Sequence, residues 1–359
     1  MKICIIELIR EGGMVHYASQ FANSLSNQEN SIVQVILPAH TDLSLFNDKV
    51  ITKIVPTIDR HPYRADILLW HILQFKPDII HITIRHPLIL PLLPLFKMMK
   101  IPVFLTVHDI TPHTGEGKLI AEISTRCSLW VSRIAFVHGE KLKRRLAERG
   151  FSEEKIMVIP HGDYSFLTRI LPEDHSTREN ITILFFGRIL DYKGLEYLIK
   201  AEPEITRTIP DLKIIIAGQG DFSKYERMIV NRDRFEIINK FIPDEGIPPL
   251  FSRASIIVLP YIEASQTGII PIAYAFAKPV VTTDVGSIPE IVENGITGII
   301  IPPHNVTALS DAIIHLITHK ELAEKMGLAG QDYMHKRMSW DAISQNIFDK
   351  YKKIMYGEL

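Results

Sequence analysis

Cysteine is nearly absent from the chain, with only Cys4 and Cys127 among 359 residues. The two lie far apart and match neither a zinc-ligand spacing nor a redox pair, so a disulfide scaffold and a zinc module are excluded. The usage is that of a reducing compartment. Long hydrophobic runs are missing as well. No apolar stretch reaches the ~18 residues of a transmembrane helix, and Met1-Lys2-Ile3-Cys4-Ile5-Ile6 meets charge at Glu7, too soon for a signal peptide. The expectation is a cytoplasmic protein whose chain opens on a strand. Charge of one sign is not in excess: the formal net charge is −1, which gives a global nucleic-acid role no support and leaves only local patches. Asp-x-Asp, the dinucleotide pattern G-x-G-x-x-G and the P-loop G-x-x-x-x-G-K do not occur. No compact set of histidine, cysteine and carboxylate has metal-ligand spacing.

The chain is 46% apolar and 23% charged, a globular composition with enough apolar surface for real cores. Its length suggests two or three domains. Short apolar runs alternate with helical patterns throughout. In the first half they cover residues 3–6, 32–37, 78–82, 103–107, 134–137 and 155–159; in the second, 181–186, 212–217, 235–238, 255–259, 279–282 and 298–301. Apolar runs of this length, spaced by helices, predict parallel sheets covered on both faces, and two sets predict two doubly wound α/β domains. The boundary falls in 160–180, where Pro160, Gly162, Pro172 and several charges break any period. Residues 339–355 read as an amphipathic helix anchored by Trp340.

The most informative segment is Phe185-Phe186-Gly187-Arg188-Ile189-Leu190-Asp191-Tyr192-Lys193-Gly194. A strand ends in glycine, two cations follow five residues apart, and a helix over 195–208 comes next. That order suits an anionic ligand, because helix N-termini offer free N–H groups and cations neutralise the charge. Ligands of open α/β sheets sit at this end of the strands.

Other constellations admit two readings each. Gly12-Gly13, between the first strand and a helix over 15–25, is a tight turn or a phosphate loop. His108, closing the strand Thr106-Val107 with Asp109 and His113 nearby, is a functional histidine or a buried one bonded to a carbonyl. His16, His138 and His161 are weaker candidates among fifteen histidines. In Pro260-Tyr261-Ile262-Glu263-Ala264-Ser265-Gln266-Thr267-Gly268, Glu263 can accept a hydroxyl bond and the N–H groups at Thr267, Gly268 and Ile269 can meet a phosphate; the competing reading is helix capping. The basic stretch 139–149 with Lys141, Lys143, Arg144 and Arg145, beside the apolar 87–99, is a lipid-docking pair or a solvated face beside a core helix.

Together these pieces resemble family 4 (group 1) of the retaining glycosyltransferases. The specific parts are Gly187-Arg188…Lys193-Gly194, Ile216-Ala217-Gly218-Gln219-Gly220, and Lys278-Pro279-Val280-Val281 running into Gly286-Ser287-Ile288-Pro289-Glu290-Ile291-Val292 and Asn294-Gly295. Gly12-Gly13, Thr106–Asp109 and Val158-Ile159-Pro160-His161-Gly162 agree with the family's first domain.

The resemblance implies a GT-B fold, two Rossmann-like domains facing a central cleft. They would be an acceptor-binding domain over 1–165 and a donor-binding domain over 175–335, with a helix over 336–359 packing back toward the first. The 160–180 linker and that helix would act as hinges.

It implies a metal-independent, hexosyltransferase-type enzyme of polysaccharide or glycoconjugate biosynthesis. No cofactor is implied; a nucleotide sugar, most simply a UDP- or GDP-sugar, would be a substrate. The acceptor would be a glycan, a lipid-linked sugar or a small molecule, with no nucleic-acid partner; with a lipid-linked acceptor, the lipid-docking reading of 87–99 and 139–149 would give peripheral membrane contact at the inner face.

By matching positions, Arg188 and Lys193 would hold the diphosphate and Gly13, beside Gly12, would approach it. His108 and Glu263 would touch the sugar. Gly187 and Gly218 would shape the donor site, and Thr267, Gly268 and Ile269 would offer N–H groups. The family's Glu-x7-Glu motif is incomplete: its second position falls on Pro271 or Ile272, and no carboxylate occurs between Glu263 and Asp284. Two other readings fit the same residues, a non-catalytic partner protein and a sugar-nucleotide epimerase of the same fold.

Overall fold

The computed structural model describes residues 1–56, 64–109, 118–170 and 181–357, with the side chains of 118–122 also left undescribed. It divides into two units. One is Met1–Gly162 together with Ser339–Leu359, and the other is Asp163–Met338. His113 and linker residues 171–180 fall outside the described residues.

The first unit is built on strands β1 (Lys2–Ile6), β2 (Ile32–Pro38), β3 (Ile51–Val55), β4 (Ile79–Ile82), β5 (Val103–Val107), β6 (Ser132–Val137) and β7 (Ile156–Val158). They form one parallel sheet in the order β3-β2-β1-β4-β5-β6-β7. Alternation along β1 shows why its sequence is apolar from Ile3 to Ile6. Ile3 and Ile5 enter the core beneath helices Gly13–Leu25 and Trp340–Tyr356, while Cys4 and Ile6 enter the core beneath Ala65–Phe75, Leu93–Met98, Lys118–Val131 and Glu140–Glu148. Both faces are covered, so only the first position, Lys2, is left for a polar side chain.

β3 has no such run in sequence. It pairs only with β2, at the sheet edge, and exposes Ile51, Lys53 and Ile54.

The segment 87–99 forms a 3-10 turn and a short helix whose Leu88, Ile89, Leu92, Leu93 and Phe96 are buried. Its apolarity is thus spent on the core, with Met98 and Met99 outward. In Glu140–Glu148, Leu142 and Leu146 are buried and Lys141 and Arg144 exposed. Among the described residues no helix is long and apolar enough to cross a membrane.

The helix Trp340–Tyr356 lies against Gly13–Leu25, where the Ser24 hydroxyl meets Asp341 Oδ1 at 2.8 Å and Ser344 Oγ at 2.7 Å. Its Trp340 ring fills the space beside Gly162, where a Cβ atom would come within 2.1 Å of the indole. Near its end, the Tyr351 hydroxyl bonds to buried His81 on β4.

The second unit carries β8 (Thr182–Phe186), β9 (Lys213–Ala217), β10 (Phe235–Ile238), β11 (Ile256–Leu259), β12 (Val280–Thr283) and β13 (Gly298–Ile301). They form a parallel sheet in the order β10-β9-β8-β11-β12-β13, again with a core on each face. The order reverses between β8 and β11, which makes the carboxyl end of β8 the topological switch point, the place in such sheets where ligands bind.

One buried carboxyl in the first unit carries a testable charge state. Glu7 follows β1 and is fully buried. Its Oε1 accepts the Ile9 N–H at 2.7 Å, and its Oε2 lies 2.8 Å from Thr83 Oγ1, which is also 2.9 Å from the Ile6 carbonyl. One hydroxyl proton serves one of those two acceptors well. A neutral Glu7 satisfies both, donating to Thr83 while Thr83 donates to Ile6. Burial pushes the Glu7 carboxyl up to about 8 from an ordinary 4.5, against the hydrogen bonds from Ile9 and Thr83. A raised folded-state value gives a contribution fully present below pH 4.5 and lost as pH climbs through 8. Glu7→Gln keeps a donor and an acceptor in the same places. It should therefore gain on the wild type by up to about 1.4 kcal/mol per pH unit between pH 4.5 and 8. Urea unfolding of both proteins at pH 5, 7 and 8.5 tests this, and a pH-independent difference would show that Glu7 is ionised throughout.

Candidate functional site

At the carboxyl end of β8 the chain turns at Gly187, whose φ is +118°. Beside it, β9 ends at Gly218 with φ +150°, packed so closely that a Cβ there would sit 2.0 Å from the Gly187 carbonyl oxygen. Gly187 N–H bonds to Ala217 O and Ile189 N–H to Gln219 O, both at 2.9 Å. Arg188 is thus held between two fixed peptide positions, its side chain exposed and in no ion pair among the described residues.

The second cation is fixed differently. Lys193 ends a 3-10 turn, Asp191–Lys193, and Gly194 follows with φ +67°. A Cβ on Gly194 would lie 1.9 Å from the Pro260 carbonyl, and Ile262 N–H donates to Tyr192 O at 2.8 Å. The turn is therefore locked against the loop after β11. From that loop rises Tyr261, fully buried, with the Lys193 ammonium 2.9 Å from its hydroxyl and 4.0 Å from its ring centroid. The Tyr261 hydroxyl also lies 3.3 Å from Thr267 Oγ1.

Gly268 precedes the helix Ile269–Ala275. Of the N–H groups the sequence offered to a ligand here, that of Ile269 is already taken by Thr267 Oγ1 at 3.2 Å. The Ile269 side chain reaches within 3.9 Å of where a Cβ on Gly187 would be. Glu263 is exposed, and its backbone N–H lies 3.5 Å from Tyr192 O. Pro271 and Ile272 are buried in the core of the unit. This side of the sheet thus gathers Gly187, Arg188, Lys193, Gly218, Glu263, Thr267, Gly268 and Ile269 at the ends of β8, β9 and β11. Two cations and a hydroxyl, with no carboxylate paired to either cation among the described residues, suit a phosphate-bearing ligand.

In the first unit Gly12 has φ +79° and caps the helix Gly13–Leu25 with no side chain over its N-terminus. Among the described residues nothing lies within 4 Å of where a Cβ on Gly12 would stand. His108 follows β5 and is buried. It belongs to a group the sequence did not assemble: the rings of His108, His138 and His161 lie 4.8 to 6.0 Å apart and surround the buried ring of Tyr17. The signal was present as a shared position, each histidine standing within three residues after the end of one of three adjacent strands, β5, β6 and β7. His16 lies apart, on the helix after Gly12, and is also buried.

Burial holds all three clustered imidazoles below their ordinary range, His138 down to about 4 and the other two well below it, with neighbouring histidines adding to the effect at His108 and His161. They are neutral at pH 7. Among the described residues, Nε2 of His138 is buried without a hydrogen-bond partner, while the buried His108 ring has the Thr83 backbone as its hydrogen-bonding neighbour, and no group of three or more His, Cys, Asp or Glu side chains could hold a metal ion. Tyr261 and Tyr17, the two residues that organise these clusters, were given no role by the sequence, because their partners are distant along the chain.

Two family models match the chain, each within one unit. The one described as Glycosyltransferase Family 4 matches residues 11–162, and the one described as Glycosyl transferases group 1 matches residues 180–319. Among curated proteins, the alpha-D-kanosaminyltransferase of Streptomyces kanamyceticus is 31% identical over 189 residues, 51% of this chain and 48% of that one. The chain thus spans about half the length of that relative. Among solved structures, the sucrose-phosphate synthase of Thermosynechococcus elongatus superposes with a TM-score of 0.78 at 17% identity, covering 99% of each chain. Anabaena HepE, solved with UDP-glucose, also gives 0.78, at 15% identity over 98% of this chain and 100% of its own. With a family model on each unit and this fold over nearly its whole length, the chain belongs to family 4 (group 1) of the glycosyltransferases and has the GT-B fold.

Proposed function

We propose that the protein is a retaining glycosyltransferase that moves a sugar from a UDP- or GDP-sugar to a hydroxyl of a glycan, a lipid-linked sugar or a small acceptor. The observation that carries the reading is the pair Arg188 and Lys193, two cations held by backbone locks at the carboxyl ends of β8 and β11. Support for the donor class comes from Anabaena HepE, which shares the fold and was solved with UDP-glucose. The second unit takes the donor, and the first takes the acceptor.

In the reaction the bond between the anomeric carbon and the diphosphate oxygen breaks while a bond to the acceptor oxygen forms on the same face. The acceptor proton passes to the leaving phosphate oxygen, so no strong protein base is required. Charge builds on the diphosphate as the bond breaks, and Arg188 and Lys193 stabilise it in place, the kind of preorganised electrostatic term that dominates such steps. The neutral histidines at the ends of β5 to β7 suit hydrogen bonding to sugar hydroxyls, since an uncharged imidazole can donate from one nitrogen and accept at the other.

Arg188→Ala and Lys193→Ala should each lower transfer by about 10²-fold or more, with circular dichroism unchanged. Near-wild-type turnover by either variant would remove the assignment. Donor consumption also separates the competing readings. A transferase consumes a UDP- or GDP-sugar productively only with an acceptor present, an epimerase converts it without one, and a non-catalytic partner protein does neither.

Stabilisation by protein cations further predicts that EDTA leaves transfer unchanged. Activity lost with EDTA and restored only by Mn²⁺ or Mg²⁺ would show that a metal holds the diphosphate instead.

A further inference from the structure

We propose that Tyr261 is a positioning residue for the leaving-group cation, and that through it Thr267 becomes a hydroxyl donor to the donor's phosphate oxygens. This rests on the nucleotide-sugar reading above and adds to it a residue pair with a defined direction of hydrogen bonding.

The direction follows from counting protons. The Lys193 ammonium can only donate, so at the 2.9 Å contact the Tyr261 oxygen accepts. The ring of Tyr261 is fully buried, and its own proton must find an acceptor. The acceptor within reach is Thr267 Oγ1, at 3.3 Å. Thr267 Oγ1 also accepts the Ile269 N–H at 3.2 Å. Both lone pairs of that hydroxyl are then occupied, and its proton is left to donate. No acceptor for it is present among the described residues. The chain of bonds therefore runs from the ammonium through Tyr261 to Thr267. It ends in a donor polarised by the positive charge at its start, on the same side of the sheet as Arg188 and Lys193.

The same tyrosine restrains the lysine. A lysine side chain has many rotamers, and most of its entropy must be surrendered to hold one position. Here the turn is locked at Gly194 against Pro260, and the ammonium meets both the hydroxyl and the face of a rigid, buried ring. Tyr261 is itself tied down, its backbone carbonyl accepting the Thr283 hydroxyl at 2.6 Å. Lys193 is thus placed before any ligand arrives.

The test uses the full chain and calorimetric titration with UDP, GDP and ADP as probes. The nucleoside diphosphate bound tightest by the wild type is then compared with its nucleoside, measured by competition. Tyr261→Phe keeps the ring and removes the hydroxyl. It should weaken diphosphate binding about tenfold, leave nucleoside binding within about twofold, and leave the ligand-free melting temperature within a few degrees. Thr267→Val should weaken diphosphate binding by a similar factor, and Thr267→Ser, which keeps the hydroxyl, should restore it to within about twofold of wild type. Because the two residues act in series, the double variant Tyr261→Phe/Thr267→Val should lose about tenfold rather than the hundredfold of independent sites. Equal weakening of nucleoside and diphosphate by Tyr261→Phe would mean a purely structural role and overturn the proposal. Wild-type affinity in Thr267→Val, or multiplicative losses in the double variant, would do the same. If the wild type binds none of the three diphosphates, the nucleotide-sugar reading falls and this inference with it. If it binds one and only the variants behave otherwise than stated, this inference alone is wrong.

Discussion

The contact on which the candidate site depends is one between backbones. Gly218 meets the Gly187 carbonyl, Gly194 meets the Pro260 carbonyl, and Gly286 meets the Ala264 carbonyl, each so closely that a methyl group would lie within about 2 Å of an oxygen. All four of these glycines, Gly187, Gly194, Gly218 and Gly286, also have positive φ values, +118°, +67°, +150° and +53°, which L side chains adopt at a cost. The loops after β8, β9, β11 and β12 are in this way pressed together without intervening side chains. Arg188 and Lys193, the residues given a role in chemistry, are the neighbours of these locks. Their long side chains extend from a backbone that has little freedom left, and this is how a surface cation acquires a defined position.

Electrostatics divides between the units in a complementary way. In the first, several polar groups near the strand ends are buried and held neutral by that burial: Glu7 is pushed toward its protonated form and His81, His108, His138 and His161 toward their uncharged forms, with Arg85 and Asp109 less buried beside them. Burial of any of them charged and unpaired would be costly. In the second, the cations stand nearer the surface, with Arg188 exposed and Lys193 half-buried. The histidines of the first unit therefore offer uncharged hydrogen-bonding groups, suited to sugar hydroxyls, and the loop after β8 in the second offers positive charge, suited to phosphate.

Much of the fold was legible because parallel sheets covered on both faces leave a strong mark, short uninterrupted apolar runs. The run at 103–107 coincides with β5, that at 235–238 with β10 and that at 298–301 with β13. β3 was missed for the complementary reason: an edge strand with Lys53 exposed need not be apolar throughout. The chain leaves the first unit at Gly162 rather than 165 and returns at Ser339 rather than 336. The first is a turn packed on Trp340, which leaves no periodic signal in sequence; the second follows a helix running on to Arg337 and opens the helix read from sequence over 339–355.

The candidate site was legible wherever it is local. Gly187, Arg188, Lys193 and Gly194 stand within eight consecutive residues, and their order alone suggested a cation pair after a strand. What sequence could not supply is the pairing of Lys193 with Tyr261, 68 residues away, or the meeting of His108, His138 and His161 around Tyr17. Each depends on which strands the topology makes neighbours. β11 lies beside β8 only because the order reverses there, and the three histidines converge only because β5, β6 and β7 are consecutive in the sheet. A switch point brings together loops that are distant in sequence, so the residues that tune a site in this architecture are those a linear reading passes over. Tyr261 is such a residue. In sequence it is an aromatic after a proline, and in the fold it is the group against which the ammonium of Lys193 rests.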